Sequence, residues 1–160
     1  MKAKTKDVCI ATAAQAAAMI RAALPQEQKE ERVFVLPLDA NGKVLAKPIL
    51  VSVGHQDGTT AIDAGAIFRE ALKTGAEEII VAHNHPSGDP TPSKADIAVT
   101  AKLKAGAKLV GLTFIDHLII GSPDSVNGLG FVSMAEESDA TSTRISRIRR
   151  GWTGRSRRGT

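Results

Sequence analysis

Residues 81–96 read Val-Ala-His-Asn-His-Pro-Ser-Gly-Asp-Pro-Thr-Pro-Ser-Lys-Ala-Asp, which places two of the chain's four histidines close ahead of an acid. His83 and His85 stand at i and i+2 at the end of an apolar run, 79–82. On a strand, that spacing sends both imidazoles to the same side. Neutral imidazoles suit zinc, and Asp96 would complete a three-ligand set that leaves a fourth position for water. Zinc in such a position lowers the pKa of its water to about 7 and polarises a carbonyl, two routes to hydrolysis. Each fragment also has a structural explanation. Ser93-x-x-Asp96 is a helix start in which Ser93 caps and Asp96 complements the dipole, and His-x-His on a strand occurs without metal. Only the joint pattern favours chemistry.

The elements that must position these side chains follow from periodicity and turn residues. Thr12-Ala-Ala-Gln15 has the form of a capping box opening an Ala-rich helix to Leu24, with Pro25 as its stop. Residues 26–32 read as a solvated connector. Runs 33–38 and 43–53 are β-like, and Asp39-Ala-Asn-Gly42 between them carries a hairpin signal. Pro48 predicts an edge position or a bulge, because proline cannot donate to a ladder. Asp63 caps a helix running through Thr74, with Ile67, Ala71 and Leu72 at helical spacing and Gly75 beyond. A short central strand at 79–82 then feeds a proline-rich loop, 83–92. Ser93 opens a second helix ending near Gly106, whose first turn folds back toward the histidines. Residues 108–115 and 117–120 read as two strands about a tight turn at Asp116-His117, and 131–134 as a last one.

The bulk properties bound the rest. A chain of 160 residues, 42% hydrophobic and 24% charged, fits one globular domain. With four Phe, one Trp and no Tyr, the core must be aliphatic, and little supports a base-stacking platform. The single cysteine excludes an intramolecular disulfide framework, and Cys9 between Val8 and Ile10 reads as a small buried apolar residue. No signal-peptide h-region and no run of about 18 apolar residues is present, so a soluble cytoplasmic protein without membrane association is expected. The net charge of +4 is uneven. Seven arginines and no acid in 141–160 contribute +7, leaving the other 140 residues at −3. From Glu136 onward the Ser/Thr/Arg/Gly-rich chain reads as a disordered tail, capable of weak, salt-sensitive binding to nucleic acid or of solubilising alone.

Seven residues, Pro86 to Pro92, separate His85 from Ser93, and two separate Ser93 from Asp96. The segment thus resembles the JAMM signature His-x-His-(seven residues)-Ser-x-x-Asp of JAB/MPN metalloproteases. His-Asn-His-Pro-Ser-Gly-Asp-Pro-Thr-Pro-Ser and Asp116-His-Leu-Ile-Ile-Gly121 are similar to the RadC branch of that family, over residues 34–134 and including Phe68-Arg-Glu-Ala-Leu72. The helix-hairpin-helix module that often precedes this domain in RadC proteins has no counterpart here. The resemblance implies a single JAB/MPN domain of α/β class, cytidine-deaminase-like, with a mixed sheet flanked by helices. Its expected bounds are 33–135, with 1–32 as an N-terminal helix and connector and 136–160 as the tail. It implies His83, His85 and Asp96 as zinc ligands and Ser93 as catalytic, donating to the oxyanion of a tetrahedral intermediate. The substrate would be a peptide or isopeptide amide.

The family also uses an upstream glutamate as general base. Counted back from the pattern, it should lie near 48–50, where none exists. Between Glu31 and Glu70 there is no glutamate, and Glu70 sits on the helix, where the family has one unconnected with catalysis. His55, Asp57 or Asp63 could stand in, although each fits turn or cap chemistry better. Three readings follow: a zinc metallohydrolase, a metal-binding module without efficient hydrolysis, and a DNA-repair-associated protein. The last rests only on the historical family label and the arginine tail.

Overall fold

The computed structural model describes residues 7–54, 62–125 and 128–135. Three helices and five strands alternate as α1 (Ala13–Ala23), β1 (Arg32–Leu38), β2 (Ile49–Val53), α2 (Ala64–Lys73), β3 (Glu78–Asn84), α3 (Lys94–Leu109), β4 (Thr113–Ile120) and β5 (Phe131–Ser133). The strands form one sheet in the order β2-β1-β3-β4-β5. It is mixed: β3 and β4 run parallel across the α3 crossover, and every other pairing is antiparallel. The expected α/β class and mixed, helix-flanked sheet are therefore observed.

Helices cover both faces of the sheet, which explains why β1 and β3 are continuous apolar runs rather than alternations. Phe34, Leu36, Leu38, Ile80 and Ala82 pack with Ile20 and the alanines of α1. Val33, Val35, Ile79 and Val81 pack on the opposite face with Ile67, Phe68 and Leu103 of α2 and α3. Pro37 is tolerated inside β1 because the β2 pairing has already ended at Val35↔Ile49.

The helix signals hold at their starts. Thr12 accepts from the Gln15 N–H, and the Gln15 side chain accepts from the Thr12 N–H, at 3.2 Å each. Asp63 caps α2 through the Ala66 N–H, and Gly75 follows Thr74 at φ +76°. Gly106 does not end α3, which continues to Leu109. A Cβ on Gly106 would stand 2.7 Å from the Phe68 ring, so the glycine permits close packing of α2 on α3 instead of stopping a helix.

Three other expectations are corrected. The run 43–53 is a strand only over β2, at the sheet edge with Pro48 just outside it; nearer the turn, the structure has the isolated bridges Cys9↔Lys43 and Leu38↔Val44. Asp116-His117 is no turn, because β4 passes straight through it. Asp116 is fully buried, and its carboxylate accepts from the His117 N–H, the Ala135 N–H and the Ser133 hydroxyl, so it ties β4 to the end of β5. Cys9 is exposed rather than buried, and its neighbour Ile10 is the core residue. Among the described residues no helix is long and apolar enough to cross a membrane. The tail 136–160 lies outside the described residues.

Burial dictates the cost of substitution. Ile20 is fully buried beneath the sheet whereas Leu109 is 88% exposed. In urea denaturation Ile20→Ala should lose about 2–5 kcal/mol, and Leu109→Ala should stay within about 0.5 kcal/mol of wild type.

Candidate metal centre

β3 carries His83 and Asn84 inside the strand, so the loop opens later than expected, at His85. His83 and His85 turn their Nε2 atoms toward each other at 3.2 Å. The Asp96 carboxylate closes the triangle, with Oδ1 3.2 Å from His83 Nε2 and Oδ2 3.2 Å from His85 Nε2. Two donors each about 2.0–2.1 Å from one tetrahedral ion stand about 3.3 Å apart. The observed spacing therefore fits ligands that already surround a common point. These three residues could hold a metal ion.

Asp96 arrives by the helix start read in the sequence. Ser93 Oγ accepts from the Asp96 N–H at 3.1 Å, and the Ser93 N–H donates to Asp96 Oδ2 at 2.9 Å. The capping and ligand readings are thus compatible, because one carboxylate serves both. Burial alone would raise the Asp96 pKa. Hydrogen bonds from His83 and His85, with the Ser93 N–H, outweigh that and hold the carboxyl well below the usual range. The Asp96 carboxylate in turn raises the pKa of His85, against partial burial. Whatever favours a proton on this imidazole also favours a dication beside it.

The loop is stitched to the end of β4. The His85 N–H donates to the Ile120 carbonyl at 2.9 Å and the Ser122 N–H to the Gly88 carbonyl at 2.7 Å. His85 Nδ1 donates to the Asp89 carbonyl at 2.9 Å, which leaves Nε2 facing the site. Gly121 makes the close approach possible, since a Cβ there would lie 2.5 Å from the Gly88 carbonyl oxygen and 2.7 Å from Pro90.

A second carboxylate stands where the sequence reading did not look. Glu31 Oε1 lies 3.5 Å from His83 Nε2. It stands at the entrance to β1, away from the 48–50 stretch where a glutamate was expected. The topology explains why Glu31 is near. β2 pairs only with β1, so its residues sit two strand spacings, about 10 Å, from the histidine strand. β1 pairs directly with β3, in antiparallel register with Val33 opposite His83, and Glu31 shares the face of Val33. Asn84 secures this entrance from the other face. Its Oδ1 accepts from the Arg32 N–H at 2.7 Å, and its Nδ2 donates to Gln28 Oε1 and the Glu30 carbonyl at 3.1 Å each. Both flanks of Glu31 are thereby fixed. Asp63 is occupied as a cap and Glu70 pairs with Lys73 at 2.8 Å, while His55 and Asp57 lie outside the described residues.

His117 was also missed, because a turn was expected there. It is fully buried behind His83, with its Nε2 2.8 Å from His83 Nδ1 and its Nδ1 2.7 Å from Thr100 Oγ1. Burial pushes its pKa down to about 3, so the ring is neutral. The face in front of the ligands is open by contrast. Glu31 and Asp96 border a cleft of about 360 Å³ whose wall continues along Ile62, Ala98, Val99 and Lys102.

Comparison with known proteins agrees with this arrangement. A family described as the RadC-like JAB domain matches residues 10–139. A UPF0758 protein of Carboxydothermus hydrogenoformans is 44% identical over 94 residues, 59% of this chain and 41% of the relative. One from Methanosarcina mazei is 42% identical over 96 residues, 60% of this chain and 41% of its own. Another from Nostoc is 44% identical over 104 residues, 63% and 42% respectively. The matched region thus spans about two fifths of these relatives.

Two predictions follow from the geometry. Elemental analysis of purified protein should find about one transition-metal ion per chain, and His85→Ala or Asp96→Ala should remove it. Metal-free wild type at neutral pH, or metal retained by both variants, would overturn the ligand set. Gly121→Ala should displace the Gly88–Pro90 loop and weaken metal binding, read by competition with a chelating dye, while the helix content in circular dichroism is unchanged.

Proposed function

The chain belongs to the RadC-like JAB domain family, and on that premise we propose that it is a zinc-dependent hydrolase of peptide or isopeptide amides. The observation that carries this reading is Glu31, whose carboxylate lies 3.5 Å from His83 Nε2 beside the His83, His85 and Asp96 cluster. A set of two imidazoles and one carboxylate favours zinc, and it leaves one coordination position for water or substrate.

Bound there, zinc supplies a Lewis acid and lowers the pKa of a coordinated water to about 7. The remaining work falls to the chain. Glu31 takes the proton from the attacking water and passes it to the departing amine, the two proton transfers that amide hydrolysis requires. Ser93 Oγ already accepts from the Asp96 N–H, so its own proton can go to the oxyanion that develops on the carbonyl. The cleft along α3 would receive the chain to be cut, and its small apolar residues suit an extended peptide. A carboxylate at the site supports hydrolysis over a metal-binding module without it.

The test is hydrolysis by zinc-loaded protein of two probes, a mixed α-peptide library and a set of lysine ε-amide peptides, followed by mass spectrometry. Wild type should cleave at least one. Glu31→Gln should keep its zinc and lose about 10²–10⁴-fold in rate. Ser93→Ala should lose rate as well as about 1 kcal/mol of stability through its cap. A Glu31→Gln variant as fast as wild type would refute the assignment of the base.

A further inference from the structure

A histidine can bind metal through Nε2 only if its one proton sits on Nδ1, and nothing intrinsic to the residue secures that choice. His85 secures it simply, since Nδ1 faces the Asp89 carbonyl, which can only accept. His83 has no carbonyl there. Its Nδ1 faces another imidazole, His117 Nε2, at 2.8 Å, and both rings are fully buried. Two imidazole nitrogens in contact leave the direction of the hydrogen bond undecided until a third group sets it.

Thr100 is that group. Its hydroxyl lies 2.7 Å from the Asp96 carbonyl oxygen one turn earlier in α3, and 2.7 Å from His117 Nδ1. The carbonyl can only accept, so the single hydroxyl proton goes to it. The Thr100 oxygen is then an acceptor toward His117, and His117 must carry its proton on Nδ1. Fully buried and with its proton on Nδ1, His117 offers a lone pair at Nε2, and His83 must donate to it from Nδ1. A metal would then meet His83 through Nε2, where His85, Asp96 and Glu31 converge.

We propose that Thr100 and His117 are positioning residues that lock His83 in its Nδ1–H tautomer and so present Nε2 to the metal. The chain of bonds begins at the backbone carbonyl of Asp96 itself. One helix thus delivers an anionic ligand and, one turn on, dictates the proton on a neutral ligand from another element. This inference rests on the metal-centre reading for its purpose.

The first test is nitrogen-15 NMR of the histidine rings in metal-free wild type, which should show His83 protonated on Nδ1 against a bare His117 Nε2. The opposite tautomer would overturn the proposal. The second is zinc affinity by chelator competition. His117→Leu removes the acceptor and should weaken binding about 10–100-fold, whereas His117→Gln, which returns an acceptor oxygen near Nε2, should recover most of it. Thr100→Val should weaken binding and Thr100→Ser should restore it; this pair remains decisive if His117→Leu fails to fold. Wild-type affinity in both Thr100→Val and His117→Leu would also overturn the proposal. Wild type that binds no zinc would defeat the metal reading instead, with the NMR result still deciding the tautomer.

Discussion

The antiparallel pairing of β1 with β3, in the register that sets Val33 opposite His83, is the constraint on which the site depends. It brings the beginning of one strand to the end of the other. Glu31 enters at one and the two histidines leave at the other, so the carboxylate and the imidazoles meet without any long loop. A slip of one residue would turn Glu31 to the opposite face of the sheet. The register is held by burial on both faces, since Val33 and Val35 fit beneath α2 and α3 while Phe34 and Leu36 fit beneath α1. It is also held by Asn84, a fully engaged amide at the end of β3 that grips both flanks of Glu31.

The second half of the site comes from α3, and here local and tertiary signals coincide. The Ser93 capping box would form in any isolated helix start. In this fold it also aims a carboxylate at two imidazoles and lets the Thr100 hydroxyl reach His117. A buried charge is costly unless it is paired and hydrogen-bonded. Asp96 meets that condition through Ser93, His83 and His85, and its ionised form is what a cation would meet.

How much of this was legible in the sequence depends on the distance over which each signal acts. The cluster of His83, His85 and Asp96 was legible, because strand spacing and a helix cap are local. The caps at Thr12, Asp63 and Ser93 were legible for the same reason. The nearness of Glu31 was not, because it is set by which strand pairs with β3, and a count along the chain does not show that. A readable clue existed in the acid directly ahead of the first fully apolar strand. His117 was hidden differently: Asp116-His117 resembles turn chemistry, and only the donors waiting beyond the strand, the Ala135 N–H and the Ser133 hydroxyl, show that Asp116 belongs inside a sheet. Gly106 and Cys9 misled because neither helix end nor burial is decided by a residue and its immediate neighbours.

The central claim is that His83, His85 and Asp96 surround one ion with Glu31 beside it. Anomalous diffraction from crystals of the zinc-loaded protein tests it most directly. The account predicts a single peak about 2.0–2.1 Å from Nε2 of both histidines, with an Asp96 oxygen as third ligand and Glu31 facing the remaining position. A peak elsewhere, or ligation of His83 through Nδ1, would contradict it.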